Sequence, residues 1–117
     1  MKNFHELPRE TCIHETENFF VIKDGFPVSP GHCLIISKAL KKTFFDLSEQ
    51  EKMELVLLIE TVRDLNMTEF TPDGFNITMN CGAASGQTVP HFHCHVIPRY
   101  QGCAIKYCIP DVGLVKG

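Results

Sequence analysis

The fold of this chain is decided by the stretch Pro90-His91-Phe92-His93-Cys94-His95-Val96-Ile97-Pro98, in which three histidines alternate with apolar residues. Successive side chains of a β-strand point to opposite faces of its sheet, with a rise of about 3.3 Å per residue. If the stretch is a strand, the histidines share one face, with neighbouring Cα atoms about 6.6 Å apart. The pattern therefore predicts a row of imidazoles on one side of a packed sheet.

Composition and charge narrow the class of protein. The 117 residues suffice for one domain with its own core, and 44% hydrophobic with 21% charged residues is typical of globular proteins. The net charge is −3 without a basic cluster, so we expect no nucleic-acid groove. We see neither the ~20 apolar residues of a membrane span nor the apolar run of a signal peptide. We expect one cytoplasmic domain over residues 1–117, with its motifs within residues 10–100.

The six cysteines favour a reducing compartment. Most of them lie in apolar, strand-like runs, where a free thiol behaves as a small hydrophobic group, and we interpret them as reduced. Cys103 and Cys108 lie in a weakly patterned tail and are the best candidates for oxidation.

Short apolar runs between turns predict an antiparallel sheet of about five strands. The runs fall at residues 11–14, 19–23, 32–37 and 75–80, and the histidine stretch is the fifth. The run at 32–37 is apolar enough for a central strand covered on both faces. Residues 1–9 are interpreted as a loose polar lead-in, and residues 104–109 as a candidate edge strand.

One main helix is predicted over about residues 48–66. Ser48 and Glu51 have the spacing of a capping box. The helix has an apolar stripe at Leu55, Leu58, Ile59, Val62 and Leu65. Met53, Val56 and Leu57 make the apolar surface wider than one packing face needs. Either a second subunit covers this surface or the helix is buried inside its own domain.

Two loops have the composition of ligand-binding segments. Residues 26–31 contain two prolines and a glycine, which make the loop stiff, and His32 follows at the start of a strand. Residues 81–88 are mostly small and lead directly into the histidine row. Gly82 and Gly86 allow backbone N–H groups in this second loop to approach an anion closely.

The histidine row is compatible with three kinds of site. Neutral imidazoles bind zinc, but three on one straight strand rarely converge on one ion, and the chain has no CxxC pair. The histidines could also simply decorate an exposed sheet face. In the third interpretation, a neutral imidazole attacks phosphorus and forms a covalent phosphoramidate that water then breaks. Neighbouring histidines would then handle the proton of the leaving group.

The histidine motif resembles that of a known family. Residues 91–97 match the His-φ-His-φ-His-φ-φ signature of the histidine triad superfamily of nucleotide hydrolases and transferases, where φ is apolar. The resemblance extends to residues 86–90, 30–32 and 46–48, and to Asp24 and Pro27. Residues 86–91 and 97–99 are most similar to the fragile histidine triad branch and its bacterial relatives. The resemblance implies a histidine-triad-like α+β fold and a homodimer.

The resemblance also implies a role for each matching residue. His93 would be the nucleophile that attacks the α-phosphorus, and the backbone carbonyl of His91 would orient it. Asp24 would accept hydrogen bonds from ribose hydroxyls. The other implied contacts are a phosphate site at His91, His95 and His32, phosphate or leaving-group contacts at Gly86, Gln87 and Thr88, a leaving-group position at Asn80, and an apolar base slot at Ile22 and Leu34.

The implied function is hydrolysis of a nucleotide, with diadenosine polyphosphates as the expected substrates. The alternatives are a purine nucleoside phosphoramidase, a nucleotide-binding regulatory module with weak catalysis, and a metal-binding scaffold. Many family members bind structural zinc through a CxxC pair and a further histidine, which this chain lacks, so we expect no metal site. We expect no required cofactor, although Mg²⁺ can accompany a polyphosphate.

Overall fold

Five strands form one antiparallel sheet in the computed structural model, which describes residues 12–102. The strands are β1 Cys12–Glu15, β2 Phe19–Lys23, β3 Cys33–Ser37, β4 Gly74–Thr78 and β5 His93–Arg99, in the order β1-β2-β3-β5-β4. One helix, α1, spans Glu49–Glu69, and short 3₁₀ turns lie at Phe44–Asp46 and Ala83–Ser85. The predicted α+β architecture is confirmed. The predictions for residues 1–9, for Cys103 and Cys108, and for a strand at 104–109 lie outside the described residues.

The register between β3 and β5 determines which residues share a face. Leu34 lies opposite His95, and Ile36 lies opposite His93. Residues directly opposite in an antiparallel pair point to the same side, so both histidines lie on the Leu34 face. The other face, which includes Ile35 and Cys94, packs against α1. Every residue of β3 is buried, which confirms the predicted central strand.

The histidine strand begins later than predicted, at His93 rather than at Pro90. The His91 N–H donates to Val89 O at 2.8 Å, and the Phe92 N–H donates to Lys41 O at 2.6 Å. These bonds form a turn and a contact with a neighbouring loop instead of a sheet ladder. The prediction that His91 lies on a strand is therefore wrong.

Helix α1 begins as predicted and ends three residues later than predicted, at Glu69. Ser48 and Glu51 form the expected capping box, with the Glu51 N–H donating to Ser48 Oγ at 3.1 Å. The buried stripe consists of Leu55, Leu58, Val62 and Asn66. The sequence assigned Leu65 to this stripe, but Leu65 is 42% exposed. A helical turn has 3.6 residues, and the residue that follows Val62 on the buried face is Asn66.

The additional apolar surface of α1 is not buried inside the described chain. Met53, Val56 and Leu57 are 65%, 52% and 62% exposed, respectively. The interpretation of α1 as a helix buried within its own domain is therefore wrong for these positions. Within residues 12–102, no helix has both the length and the apolar character needed to span a membrane.

Glu54 connects α1 to the turn between β1 and β2. Its carboxylate accepts hydrogen bonds from the Thr16 hydroxyl at 2.5 Å, from the Asn18 N–H at 2.8 Å and from the Asn18 amide at 2.7 Å. Partial burial acts to raise the pKa of Glu54, but these bonds outweigh it and hold the pKa below its ordinary value. The resulting stability is present above the ordinary carboxyl pKa and is lost as the pH falls through the lowered one.

Gly31 lies where α1 comes close to the entrance of β3. Its φ of +92° is in the region that favours glycine. A Cβ at this position would collide with the Asn66 side chain and lie 3.1 Å from the Phe70 ring.

We predict that Gly31→Ala lowers the free energy of unfolding by about 2 kcal/mol or more, because it adds backbone strain to a steric collision. Gly25→Ala is the matched control, since a Cβ there meets nothing within 4 Å. Chemical denaturation of both variants measures the difference. Equal stability of the two variants would contradict the prediction.

Candidate active site

Three of the predicted histidines come together on the Leu34 face of the sheet. The ring centroids of His93 and His95 are 5.3 Å apart, and those of His32 and His95 are 5.1 Å apart. All three residues are buried. His93 and His95 lie on β5, while His32 immediately precedes β3, the neighbouring strand. Adjacent strands thus gather residues that are about sixty positions apart in sequence.

His93 is held by the backbone of the residue two positions before it. Its Nδ1 lies 2.9 Å from His91 O, which can only accept, so Nδ1 carries the proton. In the neutral ring the Nε2 atom then holds the lone pair. The structure thus places the His91 carbonyl where the resemblance implies it, and the arrangement prepares Nε2 to act as a nucleophile.

The side chain of His91 is anchored separately. Its Nε2 lies 2.7 Å from Ser37 O, at the end of β3, and therefore donates to it. His91 is buried and precedes β5. Its implied contact with phosphate remains a prediction.

His32, His95 and Asp24 form a second cluster beside His93. His32 Nε2 is 2.9 Å from His95 Nδ1 and 3.3 Å from Asp24 Oδ2, and Asp24 Oδ2 is 3.8 Å from His95 Nδ1. The backbone N–H of Val28 donates to His32 Nδ1 at 3.1 Å. Because Nδ1 accepts, the proton of the neutral His32 ring is on Nε2, facing His95 and Asp24. The implied ribose contact of Asp24 remains a prediction.

This cluster is also the group of described residues whose spacing could suit a metal ion. The three candidate ligand atoms all lie within 4.8 Å of one another. A metal-binding histidine normally donates its other ring N–H to an acceptor, which orients the ring. His32 does the reverse, because its other nitrogen faces the Val28 N–H. The proton on His32 Nε2 occupies the direction a metal would need, so the residues fit a hydrogen-bonded cluster better than a metal site.

The loop at residues 26–31 is fastened to the end of β5. The Tyr100 hydroxyl donates to Pro30 O at 2.7 Å, and the Ser29 hydroxyl donates to Pro98 O. These bonds hold the loop, and with it the Val28 N–H that sets the proton position of His32. Sequence reasoning identified the stiff loop but missed these anchors, since a backbone carbonyl that accepts from a side-chain hydroxyl leaves no residue signature.

The predicted base slot is an apolar patch on the histidine face. Ile22 and Leu34 pack with Ile36, and the half-buried Phe20 and Val89 flank them. Leu34 has no exposed surface, so a base can reach it only if its neighbours move. Phe20 and Val89 were missed, although the alternation of Phe20 with Ile22 in β2 is a signal that could have identified Phe20.

The 81–88 loop uses much of its hydrogen-bonding capacity internally. Gln87 Oε1 accepts from the Gly82 N–H at 2.7 Å, and Gln87 Nε2 donates to Lys42 O at 2.6 Å and to Val89 O at 3.0 Å. The N–H groups of Ser85, Gly86 and Gln87 donate to carbonyls within the loop. These N–H groups and the Gln87 amide shape the loop, so direct contacts from them to phosphate remain predictions.

Thr78 borders the histidines from the neighbouring strand, β4. Thr78 of β4 lies opposite His95, and its buried hydroxyl has no hydrogen-bond partner in the described structure. Asn80, predicted to lie near the leaving group, follows β4 by two residues and is half-buried.

Cys94 lies between His93 and His95 in sequence, but burial raises its pKa to about 12, which excludes a thiolate nucleophile there at neutral pH.

Comparison with known proteins agrees with this geometry. Residues 6–102 match the model of the HIT domain. The chain is 38% identical over 90 residues to an uncharacterized HIT-like protein of Mycoplasma genitalium, covering 76% of this chain and 63% of the relative. It is 33% identical over 93 residues to a bis(5'-adenosyl)-triphosphatase of Dictyostelium discoideum, covering 74% and 62%. The chain thus spans less than two thirds of both relatives.

A solved structure shows the same fold. The NitFhit protein of Caenorhabditis elegans superposes with a TM-score of 0.80 at 28% identity, covering 84% of this chain and 24% of that one. This structure and the bis(5'-adenosyl)-triphosphatase relative confirm the predicted likeness to the fragile histidine triad branch.

We predict that Gln87→Glu loosens the 81–88 loop, because it replaces an amide donor by an oxygen that faces two carbonyl oxygens. Amide exchange at Gly82 should accelerate by about tenfold or more, which corresponds to the loss of about one hydrogen bond. Hydrogen-exchange mass spectrometry measures it, and Gln50→Glu on exposed helix surface is the matched control. Unchanged exchange at Gly82 would show that Gln87 does not hold the loop.

Proposed function

Because the chain belongs to the HIT domain family, we propose that it is a hydrolase that cleaves nucleotides at the α-phosphate through a nucleotidyl-His93 intermediate. One observation carries the proposal: His93 Nδ1 is bound to His91 O at 2.9 Å, which directs a lone pair onto Nε2. A neutral imidazole whose proton is on Nδ1 is nucleophilic at Nε2 and needs no metal for this. We therefore propose a reaction without a required cofactor.

The reaction has two displacement steps. His93 Nε2 forms a bond to the α-phosphorus while the bond from phosphorus to the leaving group breaks, and the electron pair departs with the leaving group. Water then attacks the same phosphorus, the phosphorus–nitrogen bond breaks, and its electron pair returns to His93. The nearby pair of His32 and His95 supplies ring nitrogens for the protons that these steps require.

Diadenosine polyphosphates are the proposed substrates. The support is the similarity to a bis(5'-adenosyl)-triphosphatase, together with the Gly86–Pro90 segment. The apolar patch of Phe20 and Val89 lies on the same face as His93, where a base could pack.

Asn80 favours one alternative, a nucleoside phosphoramidase, because the mononucleotide-hydrolysing branch uses an asparagine at the matching position. Free thiols at the four described cysteines support a reducing, cytoplasmic location.

We also propose that the protein is a homodimer that pairs through β4 and α1. In the described sheet β4 has a neighbouring strand on one side only, and its Ile77 is 47% exposed. Between β4 and α1 lies a cavity of about 200 Å³, lined by Ile59, Glu60, Arg63, Phe75, Ile77 and Val96. An unpaired strand edge beside exposed apolar side chains is a surface that a second chain can cover.

We expect the protein to hydrolyse a diadenosine polyphosphate or an adenosine phosphoramidate in the presence of chelator. His93→Ala should lower kcat by on the order of 10⁴-fold or more, because the nucleophile is lost. His14→Ala on the edge strand β1 is the matched control. Turnover is followed by chromatography, and the ratio of the two substrates selects the branch. If a nucleotide binds but neither substrate is turned over, the hydrolase proposal is refuted and the nucleotide-binding regulatory module is the interpretation that is left.

We expect Ile77→Glu to raise the dissociation constant of the dimer by about a hundredfold or more, because it buries a charge at the proposed interface. Light scattering at micromolar concentration measures the mass. Leu65→Glu is the control, since Leu65 lies on the opposite side of α1 from the cavity and is also exposed. A monomeric wild type would refute the proposed dimer.

A further inference from the structure

Asp24 is placed against the histidines with both carboxylate oxygens engaged. It follows β2, and its side chain is only 8% exposed. Oδ1 accepts the Phe26 N–H at 2.8 Å, while Oδ2 is 3.3 Å from His32 Nε2 and 3.8 Å from His95 Nδ1. One oxygen therefore faces the two ring nitrogens through which His32 and His95 meet.

The Val28 N–H makes His32 a permanent donor at Nε2. When His95 is neutral, its Nδ1 accepts this hydrogen bond at 2.9 Å, and its own proton is on Nε2. When His95 is charged, its Nδ1 also carries a proton, and two donors then face each other. Within the described cluster, Asp24 Oδ2 is the oxygen that can accept from both. It needs to approach His95 by less than 1 Å to reach hydrogen-bonding distance.

We propose that Asp24 is a positioning residue for proton transfer, which holds the Nδ1 proton of His95 so that His95 Nε2 can exchange a proton with the reacting groups. The inference rests on the proposed function and deepens it. It gives Asp24 a role different from the ribose contact implied by the resemblance.

The proton balance follows the two displacement steps. Charged His95 gives its Nε2 proton to the leaving group as the bond to phosphorus breaks, and it remains neutral with a proton on Nδ1, held by Asp24. In the second step, the attacking water gives a proton to His95 Nε2, and the charged ring is restored. Through both steps Asp24 Oδ2 accepts from His95 Nδ1, which keeps that proton in place while Nε2 gives up and regains its own.

Leaving-group dependence tests this role in the full chain. An alkylamine must be protonated to leave a nucleoside phosphoramidate, whereas p-nitrophenolate leaves an adenosine 5'-phosphate ester as a stable anion. Asp24→Asn keeps the shape of the side chain and removes its charge. The first displacement is followed in a single turnover, because water attack in the second displacement is common to both substrates and also uses His95. For Asp24→Asn we expect the first-step rate constant of the alkylamine substrate, divided by that of the nitrophenyl ester, to fall by on the order of 10²-fold or more, since only the amine needs an acid.

A second pair of substrates separates this role from ribose binding. The same measurements are made with 2',3'-dideoxyadenosine versions of both substrates. The proposed role predicts the same fall in this ratio of first-step rate constants with either sugar. A loss that appears in KM and disappears with the dideoxy substrates would overturn it in favour of a ribose contact. An equal loss of the first-step rate constant for both leaving groups in a folded variant would also overturn it.

Folding and the proposed function are checked independently. Burst release of p-nitrophenolate by Asp24→Asn shows that His93 still attacks phosphorus in the variant, and so that its site is assembled. If this variant fails to unfold cooperatively, Asp24→Ser is measured by the same criteria. The proposed function itself fails only if wild type forms no nucleotidyl-His93 adduct with the nitrophenyl ester, which intact-protein mass spectrometry reports. Formation of that adduct with no leaving-group selectivity in the variant refutes the role of Asp24 alone.

Discussion

The pairing of β3 with β5 is the constraint on which the rest of the site depends. It places His93 opposite Ile36 and His95 opposite Leu34, on the face away from α1. A slip of one residue would turn both histidines into the helix-facing core and bring Cys94 out. The apolar residues between the histidines make that slip unfavourable, because Cys94 and Val96 are fully buried against α1. The packing of one face thus determines the chemistry of the other.

Much of this architecture could be predicted from local patterns in the sequence. Alternating side chains identified β5, the apolar run identified β3, and the capping box fixed the start of α1. The start of β5 could not be predicted, because the turn at His91 depends on acceptors at Val89 and Lys41 rather than on residue type. The exposure of Leu65 likewise depends on which face of α1 packs against the sheet, and the apolar pattern alone does not determine that face.

The site was only partly predictable for a similar reason. The histidines and Asp24 could be named from the motif, but motif residues do not reveal their ring protons. Those depend on the Val28 N–H, on His91 O and on Ser37 O, which are backbone groups whose position the motif does not reveal. The same is true of Gln87. The motif identifies it as a site residue, but only the structure shows that its side-chain amide donates to Lys42 O and accepts from the Gly82 N–H.

The contact of Gly31 with the last turn of α1 joins two parts of the molecule that the motif treats as separate. Asn66 and Phe70 lie so close to Gly31 that no side chain fits between them, and His32 is the next residue in the chain. Fraying of this helix end therefore removes one of several contacts on the backbone that leads to His32, which the bonds from the Asp24 N–H to His32 O and from the Tyr100 hydroxyl to Pro30 O also hold. The packing of the helix end against Gly31 thus links the order of the histidine cluster to the helix as well as to the sheet.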